Sequence, residues 1–315
     1  MDSIRIVFMG TPEFAVASLE ALLQAGCKIV AVITAPDKPA GRGLQVTQSA
    51  VKKFAVSRNL PVLQPEKMKD PGFLEKLRSL GADLQIVVAF RMLPEMVWNL
   101  PPMGTVNLHG SLLPQYRGAA PINWAIINGE DHTGVTTFKL QHEIDSGNIL
   151  LQESFPIGEN DTAGEVHDIM MRVGASLLVK TVQGMLDGSI HEIPQPSFDK
   201  ENITVRAAPK IYTETCKIDW HLPVDELHNL IRGLSPYPGA FCRFENKTMK
   251  IFRSSKQRIP PEVEAGMYQT DQKTYLRFAC ADGYISAEEV QMEGKKRLPI
   301  SDFLRGYRFG QQTIV

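Results

Sequence analysis

The sequence predicts an α/β protein: an open, mostly parallel sheet with helices on both faces, followed by a smaller β-rich unit. Three observations carry this. Apolar runs alternate with helix-periodic segments over roughly the first 190 residues, a polar, proline-containing stretch then breaks the pattern, and short alternating segments with Gly and Asn turns follow it.

Ile4 to Met9 is an apolar run that reads as a buried strand, Pro12 to Ala25 has helical spacing with Pro12 near its start, and Lys28 to Thr34 reads as the second strand. Helices are expected over Ser49 to Arg58 and Gly72 to Ser79, and strands over Pro61 to Leu63 and Leu84 to Phe90. This order is Rossmann-like. The turn after the first strand is Gly10-Thr11-Pro12-Glu13 and not Gly-x-Gly-x-x-Gly, so the phosphate-cradling turn of a dinucleotide site is missing. Ala35 to Thr47, rich in Pro and Gly, is expected to be an exposed, mobile loop. Arg91 to Pro94 should lie at the carboxyl edge of the sheet, where open α/β folds hold ligands.

Thr105 to His109 alternates like a strand, which puts Asn107 and His109 on one face and Leu108 on the other. Gly110 ends it, Ser111 to Pro114 leads over a bend, and a helix opens at about Pro121. An imidazole and a carboxamide side by side can donate hydrogen bonds to a carbonyl oxygen becoming an oxyanion, and the imidazole can move a proton. A core Asn and His satisfied by neighbouring backbone is the competing reading. Gly134 to Leu140 and Asn148 to Phe155 read as strands, leaving Asp145 on the turn between them, where Asp is also expected for local reasons. Thr162 and Glu165 form a capping box, and Val166, Met170, Leu177 and Leu178 continue a core helix to Gly188. His228, like His132, His167, His191 and His221, reads as a surface residue. Three domain intervals follow: 1–190 as the sheet domain, 191–207 as a linker and 208–315 as a small β-barrel domain with a helix near Val224 to Arg232.

With 43% apolar and 22% charged residues the composition is globular. The four cysteines, at 27, 216, 242 and 280, make no Cys-x-x-Cys pair and no metal spacing, so a reduced compartment, the cytoplasm, is expected. No stretch reads as long and apolar enough to span a membrane, and no metal is required. Residues 1–205 hold 17 Lys+Arg against 22 Asp+Glu, whereas 206–315 hold 17 against 13. A basic C-terminal part suits a nucleic-acid contact, with Lys247, Lys250, Arg253, Lys256, Arg258 and Lys295-Lys296-Arg297 as candidates.

Asn107-Leu108-His109-Gly110-Ser111-Leu112-Leu113-Pro114, then Arg117-Gly118-Ala119-Ala120-Pro121 and Asp145-Ser146-Gly147, resembles the signature of the folate-dependent formyltransferases. Gly10-Thr11-Pro12-Glu13-Phe14-Ala15, the Pro36 to Gly43 loop and Ile218-Asp219-Trp220 are similar to the members acting on methionyl initiator tRNA. The resemblance implies formyl transfer from 10-formyltetrahydrofolate to the α-amine of the methionyl group, with Asn107, His109 and Asp145 catalytic. It also implies folate contacts from Ser111, Leu112, Leu113 and Pro114 and from Phe90 and Met92, tRNA contacts from Arg42 and Lys38, and a C-terminal barrel of OB type. A monomer away from membranes is expected. A formyltransferase acting on a small amine, such as glycinamide ribonucleotide or an amino sugar nucleotide, would carry the same catalytic segment. A non-catalytic RNA-binding protein and a dehydrogenase are the more distant alternatives.

Overall fold

The computed structural model describes residues 3–40, 45–195 and 204–309. In chain order the elements are β1 (Arg5–Gly10), α1 (Glu13–Gln24), β2 (Lys28–Ile33), β3 (Lys38–Ala40), β4 (Gln45–Thr47), α2 (Ala50–Ser57), β5 (Val62–Leu63) and α3 (Pro71–Ser79). Then come β6 (Leu84–Val88), α4 (Glu95–Trp98), β7 (Thr105–His109), β8 (Arg117–Gly118), α5 (Pro121–Ile127), β9 (His132–Lys139), β10 (Ile149–Pro156), α6 (Ala163–Asp187) and β11 (Ala207–Ala208). The last are α7 (Val224–Gly233), β12 (Ala240–Phe244), β13 (Lys247–Gln257), β14 (Tyr268–Thr270), β15 (Leu276–Ala279), β16 (Tyr284–Met292), β17 (Arg297–Pro299) and α8 (Ile300–Gly306). Contacts divide the chain into two compact units. The first is residues 1–118, 134–155 and 167–207; the second is 119–133, 156–166 and 208–315.

The first unit is a seven-stranded sheet in the order β10-β9-β7-β6-β1-β2-β5. β5, β2, β1, β6 and β7 run parallel, and β9 pairs antiparallel with β7. Both faces are covered, which is why β1 and β6 are apolar at successive positions. Val7, Met9, Ile33 and Val87 pack with Phe73, Leu74 and Leu77 of α3. At the end of β1, a Cβ on Gly10 would stand 2.6 Å from the Ala15 Cβ, so only glycine lets α1 approach there. β6 stops at Val88, two residues short of the expected end, because Ala89 turns to φ +46° and leaves the strand conformation. α2 is capped by Ser49, whose Oγ accepts from Lys52 N at 3.0 Å, and α3 by Asp70, which accepts from Phe73 N at 2.9 Å. The stretch expected to be a mobile loop contains the antiparallel pair β3 and β4, and before it Asp37 is held by Lys52 at 2.5 Å and Gln64 at 2.8 Å.

α6 has 25 residues, long and apolar enough to cross a membrane, contrary to the expectation that no stretch is. Its apolar stripe nevertheless lies in the protein core, with Met170, Leu177, Leu178 and Val182 buried. At Gly174 a Cβ would meet Leu108 Cδ2 at 2.9 Å, so α6 lies directly on the Leu108 face of β7.

The second unit is an antiparallel β domain: strand order β12-β13-β16-β15-β14, with β17 on β16, and no pairing joining the two edges among the described residues. Val224, Leu227 and Ile231 of α7 and Phe303 and Leu304 of α8 fill its core with Phe244, Met249, Ile251, Phe278, Ile285 and Val290. The capping box forms reciprocally here, Glu165 N to Thr162 Oγ1 at 3.3 Å and Thr162 N to Glu165 Oε2 at 2.8 Å. His228, expected at the surface, is buried, with Nδ1 3.1 Å from Ser254 Oγ and Nε2 3.3 Å from the Glu159 carbonyl. The amphipathic period of α7 turns it inward, and the hydroxyl and carbonyl satisfy it there.

Candidate active site

β7 ends at the carboxyl edge of the sheet, and its alternation turns Asn107 and His109 to the face opposite Leu108. His109 is 7% exposed, and its Nε2 lies 3.0 Å from the Tyr116 carbonyl. A carbonyl only accepts, so Nε2 carries the proton and Nδ1 is left toward Asp145, whose Oδ2 is 3.8 Å away. That separation exceeds a hydrogen bond and suits a charge contact once Nδ1 takes up a proton. Asn107 is half-buried, and its side-chain amide has no hydrogen-bond partner among the described residues. The three residues picked out in the sequence therefore stand together.

Two backbone features hold them. Tyr116 sits at φ +58° and is buried, with its N–H donating to the Arg206 carbonyl at 2.6 Å, which aims its own carbonyl at His109. Asp145 is at φ +52°, and the Gly118 N–H donates to its Oδ2 at 3.0 Å. Gly147, two residues on, is required because a Cβ there would stand 1.6 Å from the Lys139 carbonyl oxygen. Gln195 donates to the carbonyls of Asp145 at 2.9 Å and Gly147 at 2.8 Å and accepts from Arg117 Nη2 at 2.5 Å. Burial pulls the Arg117 guanidinium below its ordinary value, and Asp145 and Glu143 oppose that.

The bend 111–114 is built around Thr136. Its hydroxyl donates to the Ser111 carbonyl at 2.6 Å and accepts from Leu113 N at 3.1 Å and Gln152 Nε2 at 2.9 Å. Ser111 Oγ donates to the Gln115 carbonyl at 2.6 Å. Ser111 and Leu113 are thus buried structural members, while Leu112 and Pro114 are half-buried. Phe90 is half-buried under the Arg91 guanidinium, 5.7 Å from its ring centroid. Arg91 donates to the carbonyls of Glu66, at 2.9 Å, and Pro65, a backbone-holding role the sequence did not reveal. Met92, a folate contact in the resemblance, is 76% exposed, since the short α4 begins only at Glu95 and leaves it on the open loop. Lys38 is exposed on β3, and Arg42 lies outside the described residues.

In the second unit four of the eight candidate cations are matched with carboxylates. Arg253 pairs with Glu165 at 2.5 Å, Lys256 with Glu159 at 2.9 Å and Asp225 at 2.8 Å, Arg258 with Asp225 at 2.8 Å, and Arg297 with Glu289 at 2.5 Å. Sequence reasoning missed a cleft of about 620 Å³ lined by Lys210, Tyr212, Tyr237, Phe241, Thr248 and Lys250. Tyr237 is 83% exposed and Tyr212 60%, with Lys210 Nζ 5.8 Å from the Tyr212 ring centroid. The available signal was aromatic residues beside lysines in polar surroundings.

The formyl transferase profile matches residues 4–182, and the formyl transferase C-terminal domain profile matches 210–308. The chain is 53% identical to a methionyl-tRNA formyltransferase of Parabacteroides distasonis, over 98% of this chain and 97% of that protein. It is 51% identical to one from Bacteroides thetaiotaomicron, over 98% and 97%. Among solved structures, an N-formyltransferase from Helicobacter canadensis in complex with folinic acid and dTDP-3-aminofucose superposes with a TM-score of 0.68 at 23% identity, over 92% of this chain and 100% of that one. At that identity the likeness speaks for the fold alone. Matched in both its parts and to full-length relatives, the chain belongs to the folate-dependent formyltransferase family, in the branch of the methionyl-tRNA formyltransferases.

Proposed function

We propose that the chain transfers the formyl group of 10-formyltetrahydrofolate to the α-amine of methionyl initiator tRNA, making formylmethionyl-tRNA for translation initiation. The observation that carries this is the Asn107 amide, half-buried and unpartnered among the described residues, on the strand face it shares with His109 above Asp145. The α-amine attacks the formyl carbon, a new C–N bond forms, and the bond to N10 of the folate breaks. Asn107 donates to the oxyanion that develops, worth about 2.7–4 kcal/mol for such a donor. His109 accepts a proton at Nδ1, is stabilised as imidazolium by Asp145, and returns that proton toward N10.

The edge formed by Phe90, Met92, Leu112 and Pro114, with the backbone of Ser111 and Leu113, is the cosubstrate wall in this reading. Residues 1–190 are the catalytic part, 191–207 the joining segment and 208–315 the tRNA-binding part. Arg42 and Lys38 meet the acceptor end, and the Tyr212 and Tyr237 cleft supplies stacking surface for RNA. The protein works as a cytoplasmic monomer without metal, off the membrane. Single-turnover transfer from labelled 10-formyltetrahydrofolate, offered methionyl initiator tRNA and glycinamide ribonucleotide side by side, tests it. Formylation of the tRNA, lost by at least about a thousandfold in His109→Ala, is the expected result. Formylation of the small amine alone would overturn the acceptor, and transfer surviving in His109→Ala would overturn the mechanism.

A further inference from the structure

The segment after α6 reads as a linker, yet it carries a side chain that reaches the candidate site. Ile193 pairs with Ile149 through two backbone hydrogen bonds of 2.8 and 2.9 Å, which anchors the segment along β10. Two residues on, the Gln195 amide spans the turn holding Asp145. Its NH₂ donates to the carbonyls of Asp145 and Gly147, at 2.9 and 2.8 Å, and its Oε1 accepts from Arg117 Nη2 and Nε, at 2.5 and 3.2 Å. The ring closes through the peptide after Arg117, because the Gly118 N–H donates to Asp145 Oδ2 at 3.0 Å. Asp145 is thereby held by its carboxylate and its own carbonyl at once. It needs that hold: a non-glycine residue at φ +52° sits in a sparsely populated region, at a cost of order 1 kcal/mol.

Only a carboxamide can donate twice and accept as well. A carboxylate would serve Arg117 and lose both donors, and an ammonium would do the reverse.

We propose that Gln195 is a positioning residue for formyl transfer, acting through Asp145 to set the charge that faces His109 Nδ1. The inference rests on the reaction proposed above, so one of its tests does not depend on turnover. Gln195→Met preserves size and removes every bond; Gln195→Glu keeps an acceptor for Arg117 and removes the donors. Both are expected to lower kcat about tenfold while KM for tRNA and folate stays within about twofold, since placement is lost and binding is not. In an Asp145→Asn background Gln195→Met should cost less than about twofold, because residues acting as one unit are non-additive.

Amide exchange is the second readout: exchange at Gly118 and across 143–147 should speed at least about tenfold in Gln195→Met, with an unchanged global unfolding midpoint. Full kcat in Gln195→Met or Gln195→Glu, or the same tenfold loss in the Asp145→Asn background, would overturn the inference. Unchanged exchange at Gly118 would overturn it whatever the enzyme formylates. A wild-type protein that leaves methionyl-tRNA unmodified would strike the proposed function instead, and the exchange result would still decide the hold on Asp145.

Discussion

The end of β7 and the second half of β13 are both dense in polar side chains, and they treat those groups in opposite ways. At β7 an amide without a partner among the described residues, an imidazole and a carboxylate converge in partial burial, fixed mostly by backbone carbonyls and N–H groups. On β13, Arg253 and Lys256 are each matched with acids in the same unit. Incomplete pairing leaves a group free to act on a ligand; complete pairing fixes the fold. The comparison teaches that the positive balance of residues 206–315 does not by itself mark a nucleic-acid surface, since half of the candidates answer to neighbouring carboxylates.

The largest effect expected is at the turn that keeps Asp145 in place. Gly147→Ala would drive a methyl into the Lys139 carbonyl, and urea unfolding should report a loss of about 3 kcal/mol or more with formyl transfer abolished. A normal midpoint would break the account of that turn. Asn107→Ala comes next, with kcat expected to fall about 100- to 1000-fold while the midpoint holds. The contrast with the second unit is sharpened by two variants measured together. Tyr237→Ala should weaken tRNA binding about tenfold at fixed salt, the worth of one stacked base, whereas Lys256→Met should change it less than about twofold and lower stability by about 1 kcal/mol. Reversed results would mean that the paired cations, and not the exposed aromatics, face the RNA.

The smallest effect belongs to His228. Burial holds its imidazole below the ordinary value of 6.5, with Lys256 and Arg232 adding repulsion to the charged form and the Glu159 carbonyl opposing them. The unfolded chain then takes up a proton near pH 6.5 before the folded one does, so stability present above that pH is lost as the pH falls through it. Unfolding free energies from urea titrations at about pH 7.5 and 5.5 should differ less in His228→Gln than in wild type. Equal differences would show that His228 does not titrate on unfolding.

Much of the first unit was legible because period and punctuation are local. Apolar runs marked the buried strands and alternation alone put Asn107 and His109 on one face, while in the second unit the Thr162 and Glu165 box marked a helix start. Gln195 was not legible, because its partners stand 48 and 50 residues away and its own surroundings are polar and aperiodic. The pairing of Arg253 with Glu165 was hidden for the same reason, across 88 residues. The β3–β4 pair was obscured by prolines and glycines that usually signal open loop, and His228 by the custom of reading a lone imidazole as exposed.

The carbonyl that receives His109 Nε2 has a consequence for heredity. Every amino acid supplies a carbonyl, so exchanging the Tyr116 side chain cannot delete this acceptor; only a changed course of the main chain can move it. The tautomer of His109 is therefore written into the path of the backbone and is shielded from most single-codon changes. A mutational scan would score position 116 by whether the new residue tolerates φ +58°, and would record as a folding requirement what is also a setting of proton chemistry.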